Sequence, residues 1–137
     1  MGSSGYVAGG LALLAVAVVV AVLLTRGGFV VKSGAMSGCV SLVRGTTWRT
    51  TAHRIDGHCR VDQSLDAGQL AALRVTSTNG SGRVVLLLSQ GATTRSVDLS
   101  GGFDGPVDVH GFAPDRRTRL RVDFRDARDV RLDVRWD

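Results

Sequence analysis

The sequence has no glutamate, and Lys32 is its only lysine. These two residue types are common on the solvent-facing sides of helices, because both have a high helix propensity. Valine and threonine, which favour strands, are abundant instead, together with glycine and aspartate. The shortage of glutamate and lysine therefore argues against a helical soluble domain.

Aromatic residues make up only 5% of the chain, and there are two cysteines and two prolines among 137 residues. This length has room for a single domain. The formal net charge is +5, but Arg26 and Lys32 flank an apolar run described below, so the remainder is only mildly basic. An excess this small does not indicate a nucleic-acid-binding protein, and we expect no nucleic-acid partner.

All 12 acidic residues are aspartate, and every basic residue other than Lys32 and the histidines is arginine. This bias is typical of a GC-rich genome. In composition the chain is similar to small envelope proteins of actinobacteria. The resemblance implies a bacterial cell-envelope protein and does not extend to a particular family.

The strongest signal is an apolar run from residue 6 to residue 24, which reads YVAGGLALLAVAVVVAVLL. About twenty such residues, rising about 1.5 Å each as a helix, span a bilayer core of about 30 Å. Tyr6 and Arg26 at its ends suit interfacial anchoring. We predict a transmembrane anchor over residues 1–25, a juxtamembrane linker over 26–38, and the lipid bilayer as a partner.

A cleaved signal peptide is the main alternative, with small residues at Ser33, Gly34 and Ala35 as a cleavage site. Two features count against cleavage. The first six residues contain no Lys or Arg, and the small residues lie well beyond the apolar run. The anchor is therefore the preferred interpretation, and cleavage stays open.

Small residues recur four positions apart along the apolar run, which lets two membrane helices approach closely. The predicted packing face consists of Ala8, Ala12, Ala17 and Ala21. It allows weak self-association or packing against a helix of another membrane protein. An alanine-rich run also produces such spacing by chance.

The two cysteines, Cys39 and Cys59, indicate one side of the membrane for the following domain, and the charge pattern indicates the other. Arg26 and Lys32 follow the helix, and the positive-inside rule would place the following domain in the cytoplasm. Two cysteines in a small β-rich domain instead indicate a disulfide and an oxidising compartment. We predict a Cys39–Cys59 disulfide and an extracytoplasmic domain.

Residues 39–137 alternate short apolar runs with turn residues, which is typical of an antiparallel β-sandwich of jelly-roll or immunoglobulin-like outline. Strands are expected near residues 39–43, 46–54, 58–63, 70–78, 83–90, 94–99, 107–112, 117–125 and 129–136. Asn79-Gly80 predicts a hairpin turn, and residues 66–73 could hold one helical turn.

Two further patterns predict how strands are buried and paired. Residues 84–88 read VVLLL, which is apolar on both faces and indicates a fully buried central strand. Near the C-terminus, Leu120, Val122 and Phe124 alternate with charged residues, as do Val130 to Trp136. Folding these two runs about Ala127 matches apolar side chains on one face and mostly opposite charges on the other.

The segment between the cysteines carries more arginine than aspartate and includes one tryptophan. A basic surface with an aromatic residue could bind an anionic partner or the membrane surface. The predicted surface consists of Arg44, Trp48, Arg49, Arg54 and Arg60. The alternative is that the arginines simply face water.

No pattern supports catalysis, a metal or a cofactor. Cys39, His53, His58 and Cys59 supply atoms that zinc prefers, but their spacing matches no compact ligand pair. There is no G-x-S-x-G motif and no phosphate-binding glycine loop. We therefore expect a membrane-tethered, non-catalytic β-sandwich that binds a partner in the cell envelope. An accessory single-pass subunit of a larger membrane complex, and a secreted or tethered hydrolase with an unrecognised site, are the alternatives.

Overall fold

The computed structural model describes residues 30–137. The predicted transmembrane helix, with its packing face Ala8, Ala12, Ala17 and Ala21, lies outside the described residues. Within residues 30–137 no helix is long and apolar enough to cross a bilayer. The prediction of an all-β, antiparallel domain is confirmed, since the eight strands of this part of the chain form one antiparallel sheet.

The elements follow one another closely along the chain. In order they are β1 (Val31–Ser37), β2 (Val40–Arg44), β3 (Thr47–Leu65), α1 (Ala67–Ala71), β4 (Arg74–Thr78), β5 (Ser81–Gln90), β6 (Thr93–Asp98), β7 (Phe103–Pro106) and β8 (Arg116–Arg135). Two of them, β3 and β8, have 19 and 20 residues. Strands of this length exceed the usual five to six residues, and they run through both halves of the sheet.

The sheet divides into two five-stranded halves that share β3 and β8. In the first half the strand order is β2, β3, β8, β4, β7. This half uses the early part of β3 and the late part of β8. In the second half the strand order is β1, β3, β8, β5, β6. This half uses the late part of β3 and the early part of β8.

Both long strands bend where they pass from one half to the other. The β3–β8 register shifts between Ile55 and Gly57, which marks a bulge. Gly57 lies opposite Gly34 of β1, and a Cβ on either residue would collide with the backbone of the other strand. In β8 the bend includes Asp126, whose φ is +45°. The two glycines let the backbones of β1 and β3 approach closely where β3 bends.

The core lies between the two halves, where inward-facing side chains of both meet. Its largest fully buried members include Trp48, Ile55, Leu86, Leu120 and Leu132. Strand β5 shows the alternation clearly, because Val84, Leu86 and Leu88 are fully buried while Val85 and Leu87 are only half-buried. The prediction that residues 84–88 form a strand buried on both faces is therefore wrong, although β5 does pair on both sides.

Two other predictions of local structure need correction. The C-terminal runs do not fold about Ala127 as a hairpin, because both belong to the single bent strand β8. Asn79-Gly80 does not close a hairpin either, because β4 pairs with β7 and β8 and not with β5. This dipeptide instead connects the two halves of the sheet.

The segment expected to be a flexible linker is partly a strand. Residues 31–37 form β1 and pair with β3 from Arg54 to Arg60. The predicted helical turn is confirmed as α1, whose N-cap Asp66 forms a capping box with Gln69.

Candidate binding surface

The outer side of the first half carries a surface with apolar and basic parts, here called the hairpin face. It begins with the outward side chains of the β2–β3 hairpin and continues onto the neighbouring strand β8. Its members are Val40, Leu42, Arg44, Thr47, Arg49, Thr51, Arg131, Asp133 and Arg135. Two shallow grooves of about 390 and 370 Å³ run along it.

The apolar part of the hairpin face lies on β2. Val40 and Leu42 are 55% and 42% exposed. Residues of this strand alternate, so that Ser41 and Val43 point toward the core while these two point away from it. Exposed valine and leucine side chains side by side are a local excess of apolar surface, which favours contact with a partner.

Most charge on the hairpin face is positive and only part of it is compensated. Arg49 donates from Nε to Asp133 over 2.7 Å, and this contact raises the pKa of Arg49. Within residues 30–137, Arg44, Arg131 and Arg135 have no ion-pair partner. Thr47 of β3 lies opposite Arg44 of β2 on one side and opposite Arg135 of β8 on the other, so the two arginines flank Thr47. An anionic group above Thr47 would lie between two guanidinium groups.

Trp48 does not belong to this surface. It is fully buried, and its indole Nε1 donates to Ser41 Oγ over 2.9 Å. Ser41 Oγ in turn lies 2.7 Å from Thr50 Oγ1, so a hydrogen-bonded chain holds the inner side of the hairpin. The prediction that Trp48 is an aromatic contact for a partner is therefore corrected to a structural role.

The remaining two predicted residues lie away from the hairpin. Arg54 is at the bend and pairs with Asp126, with 3.2 Å between Nη2 and the carboxylate. Arg60 is half-buried in the second half of the sheet. Its backbone lies opposite Val31 of β1 on one side and Arg121 of β8 on the other. Only Arg44 and Arg49 of the predicted surface come together. Arg131 and Arg135, which join them, were not predicted.

Another groove, here called the cross-strand groove, crosses the outer side of the second half. Its volume is about 680 Å³, and its lining residues are Asp56, Gly57, His58, Arg83, Val85, Leu87, Ser96, Arg121, Asp123, Phe124 and Arg125. Arg121 Nε donates to Asp123 over 2.7 Å. Charges of both signs are present, and one of the ion pairs between them, Arg121 with Asp123, is formed within the groove.

The arginine-rich start of β8 is compensated by one carboxylate. Arg117 and Arg119 donate to Asp62 over 2.6 and 3.1 Å. Partial burial raises the pKa of Asp62, but the two guanidinium groups outweigh burial and hold this pKa below its usual range. This cluster is an ion-pair network of the sheet that keeps one net positive charge, against three on the hairpin face.

Cys39 lies near enough to Cys59 to interact with its thiol, but the structure records both as free thiols, so the predicted disulfide is not formed in it. Cys59 is fully buried in the core, and half-buried Cys39 packs against the same core. Burial, followed by the nearby Cys39, raises the pKa of the Cys59 thiol to about 12. Among residues 30–137, no group of three His, Cys or Asp side chains is arranged to hold a metal ion.

Comparison with known proteins gives only a likeness in fold. No protein-family profile and no curated protein matches the chain. The fold is similar to that of a family 29 carbohydrate-binding module, with 16% identity, a TM-score of 0.39, and coverage of 76% of this chain and 74% of the module. It is also similar to TmCBM61 in complex with beta-1,4-galactotriose, with 16% identity, a TM-score of 0.35, and coverage of 81% and 79%. A likeness of this size does not assign a ligand.

Proposed function

We propose that the protein is a membrane-tethered, non-catalytic binding module of a bacterial cell envelope. Its N-terminal apolar run anchors the chain, and its β-domain stands on the extracytoplasmic side. The hairpin face binds an anionic partner there. The alternative is an accessory single-pass subunit of a larger membrane complex, in which the N-terminal helix packs against partner helices.

The tether supports this proposal through its length. Six residues, 25–30, separate the apolar run from β1. A fully extended chain of that length reaches about 20 Å. The β-domain would therefore stay within one domain diameter of the bilayer, which raises its effective concentration for partners in the envelope.

The observation that carries the proposal is the composition of the hairpin face. Three arginines without an acidic partner in residues 30–137 share the hairpin face with exposed Val40 and Leu42: Arg44 lies on the same strand β2, and Arg131 and Arg135 lie on β8, on the far side of β3. Guanidinium groups form strong, charge-assisted hydrogen bonds to carboxylates and phosphates. Apolar contact beside them would exclude water from those bonds.

The tether is tested by alkaline extraction of membranes from cells that express the full chain. We expect the protein to remain in the membrane pellet in carbonate, because burial of the 19 apolar residues in hydrocarbon is unaffected by high pH. Immunoblotting of pellet and supernatant measures the result. Release into the supernatant, or a mature N-terminus beyond Gly34, would replace the tethered module with a free secreted one.

The binding surface is tested with a soluble polyanion, a 20-residue polyglutamate peptide, and the full chain in nanodiscs of neutral lipid. A triple variant with Arg44→Gln, Arg131→Gln and Arg135→Gln should bind at least about tenfold more weakly than the wild type, since charge-assisted hydrogen bonds contribute about 1.5–3 kcal/mol each. Fluorescence anisotropy of labelled polyglutamate measures the affinity.

The matched control removes the same charge elsewhere, through Arg116→Gln, Arg125→Gln and Arg128→Gln. These arginines are exposed and have no ion pair within residues 30–137. We expect the control to change affinity by less than about threefold. Equal losses in both variants would show nonspecific charge attraction and contradict a site on the hairpin face. Binding of beta-1,4-galactotriose that Asp123→Asn abolishes would move the function to the cross-strand groove.

A further inference from the structure

The two halves of the sheet present four strand edges, and three of them are protected against pairing with another chain. Strand β7 has only four residues and ends in Gly105-Pro106. Strand β6 presents Thr94, Ser96 and Asp98 outward. Strand β1 has exposed Lys32 and is irregular at Gly34, whose φ is +111°. Short length, proline, polar side chains and bends are the usual means of preventing edge-to-edge association.

The fourth edge, β2, lacks this protection. Among residues 30–137 it pairs with β3 alone, so its other side has unpaired N–H and C=O groups. Its outward side chains are Val40, Leu42 and Arg44, and the structure has no exposed large hydrophobic residues other than the first two among those described. An apolar edge strand of this kind is a template for another strand.

Strand β2 is also held firmly in position. The hydrogen-bonded chain from Trp48 through Ser41 to Thr50 fixes its inner side to β3. Half-buried Val43 packs against the core. An edge that is already extended and fixed loses little conformational entropy when a strand is added to it.

We propose that β2 accepts an extended strand from a partner protein, and that this strand carries apolar side chains beside Val40 and Leu42 and an acidic side chain beside Arg44. This inference rests on the proposed function and adds the mode of binding. Addition of a strand to a sheet edge takes affinity from main-chain hydrogen bonds and specificity from alternate side chains.

The side chains of the hairpin face define the chemistry of the added strand. Its outward residues would lie about 4.8 Å from those of β2. Two apolar residues would cover Val40 and Leu42 and extend the groove of about 390 Å³ that these line with Arg44. Because Arg49 is already paired with Asp133, Arg44 is the basic group at this edge that has no acidic partner within residues 30–137 and can donate to a carboxylate.

The test uses a nine-residue synthetic peptide, with two valines and one glutamate at alternate positions on one face and threonine at the others, and the full chain in nanodiscs of neutral lipid. We expect binding together with slower hydrogen exchange of the amides from Val40 to Arg44. Methylation of alternate peptide nitrogens should abolish binding, because it removes ladder donors and keeps the side chains. Replacement of glutamate by lysine in the peptide should weaken binding at least about tenfold.

Leu42→Lys places a charge on the edge and should reduce the affinity of the peptide at least about tenfold. Thr94→Lys on the polar edge β6 is the matched control and should change it by less than about twofold. An N-methylated peptide that binds as well as the parent would overturn strand addition. Amides of β2 that are already protected without peptide, with protection that rises with protein concentration, would instead show pairing between two copies and overturn the partner assignment.

The outcome separates this inference from the proposed function. If polyglutamate binding depends on Arg44, Arg131 and Arg135 while the alternating peptide does not bind, strand addition is wrong and the hairpin face still binds an anion. If neither probe binds, both proposals fail.

Discussion

Oxidation of the full chain should raise the free energy of unfolding of its β-domain by about 3 kcal/mol, through a disulfide between Cys39 and Cys59. The bridge would close a loop of about twenty residues and restrict the unfolded chain, which accounts for the size of the effect. It would also join the short connection between β1 and β2, which contains Cys39, to the core of the second half. Denaturant titration followed by the fluorescence of buried Trp48 and Trp136 measures the change.

The two thiols have different parts in bond formation. Half-exposed Cys39 is the accessible sulfur, and its thiolate can attack oxidised glutathione, forming a mixed disulfide and releasing one reduced glutathione. Cys59 must then lose its proton and displace glutathione, so that two thiols give up two protons and two electrons in total. Because the pKa of Cys59 is raised to about 12, few of these thiols are ionised at neutral pH, and the second step should accelerate as the pH rises.

Cys39→Ser is the control, because it removes the bridge and leaves Cys59 in the core. Oxidised and reduced samples of this variant should unfold at the same denaturant concentration. Two thiols that still titrate after prolonged oxidation at pH 9 would contradict the predicted disulfide. A membrane-impermeant thiol reagent applied to intact cells tests on which side of the membrane the β-domain lies. Labelling only after reduction would show that the two cysteines are external and bridged.

The strand content followed from alternation in the sequence, but the path of the chain did not. In β8 the buried positions run Leu120, Val122, Phe124, then Ala127 and Val130. The spacing changes from two to three at the bend, and a hairpin turn would interrupt the alternation in the same way. Local sequence therefore could not separate one bent strand from two paired ones, since the difference lies in which distant strands each part meets.

The candidate surface was predictable only within a single hairpin. Alternation places Arg44 and Arg49 outward, and the same rule places Trp48 inward, between Thr47 and Arg49. Strict use of that rule would have excluded the tryptophan. Arg131 and Arg135 reach the hairpin face because β8 pairs with β3, a contact between residues eighty or more positions apart. No local pattern contains that information.

The bend explains why replacement of one small residue should have a large effect. Gly57→Ala should lower the free energy of unfolding by about 3 kcal/mol, at the upper end of what overpacking costs. The added Cβ would collide with the Ser33 carbonyl oxygen of β1, and the Gly34 backbone lies directly behind it. Neither is the end of a flexible side chain, so β1 must separate from β3 where the ribbon passes between the two halves. Denaturant titration of the reduced full chain measures the loss.

Gly105→Ala in β7 is the matched control. Its new Cβ would meet only ring carbons of Phe103 at 3.8 Å, which is ordinary van der Waals contact. Alanine also restricts the unfolded chain more than glycine does, so this variant should match or exceed the wild type by up to about 1 kcal/mol. If Gly57→Ala were equally harmless, the close approach of β1 and β3 would not be required for the bend. The two halves of the sheet would then be held in place by the core side chains alone.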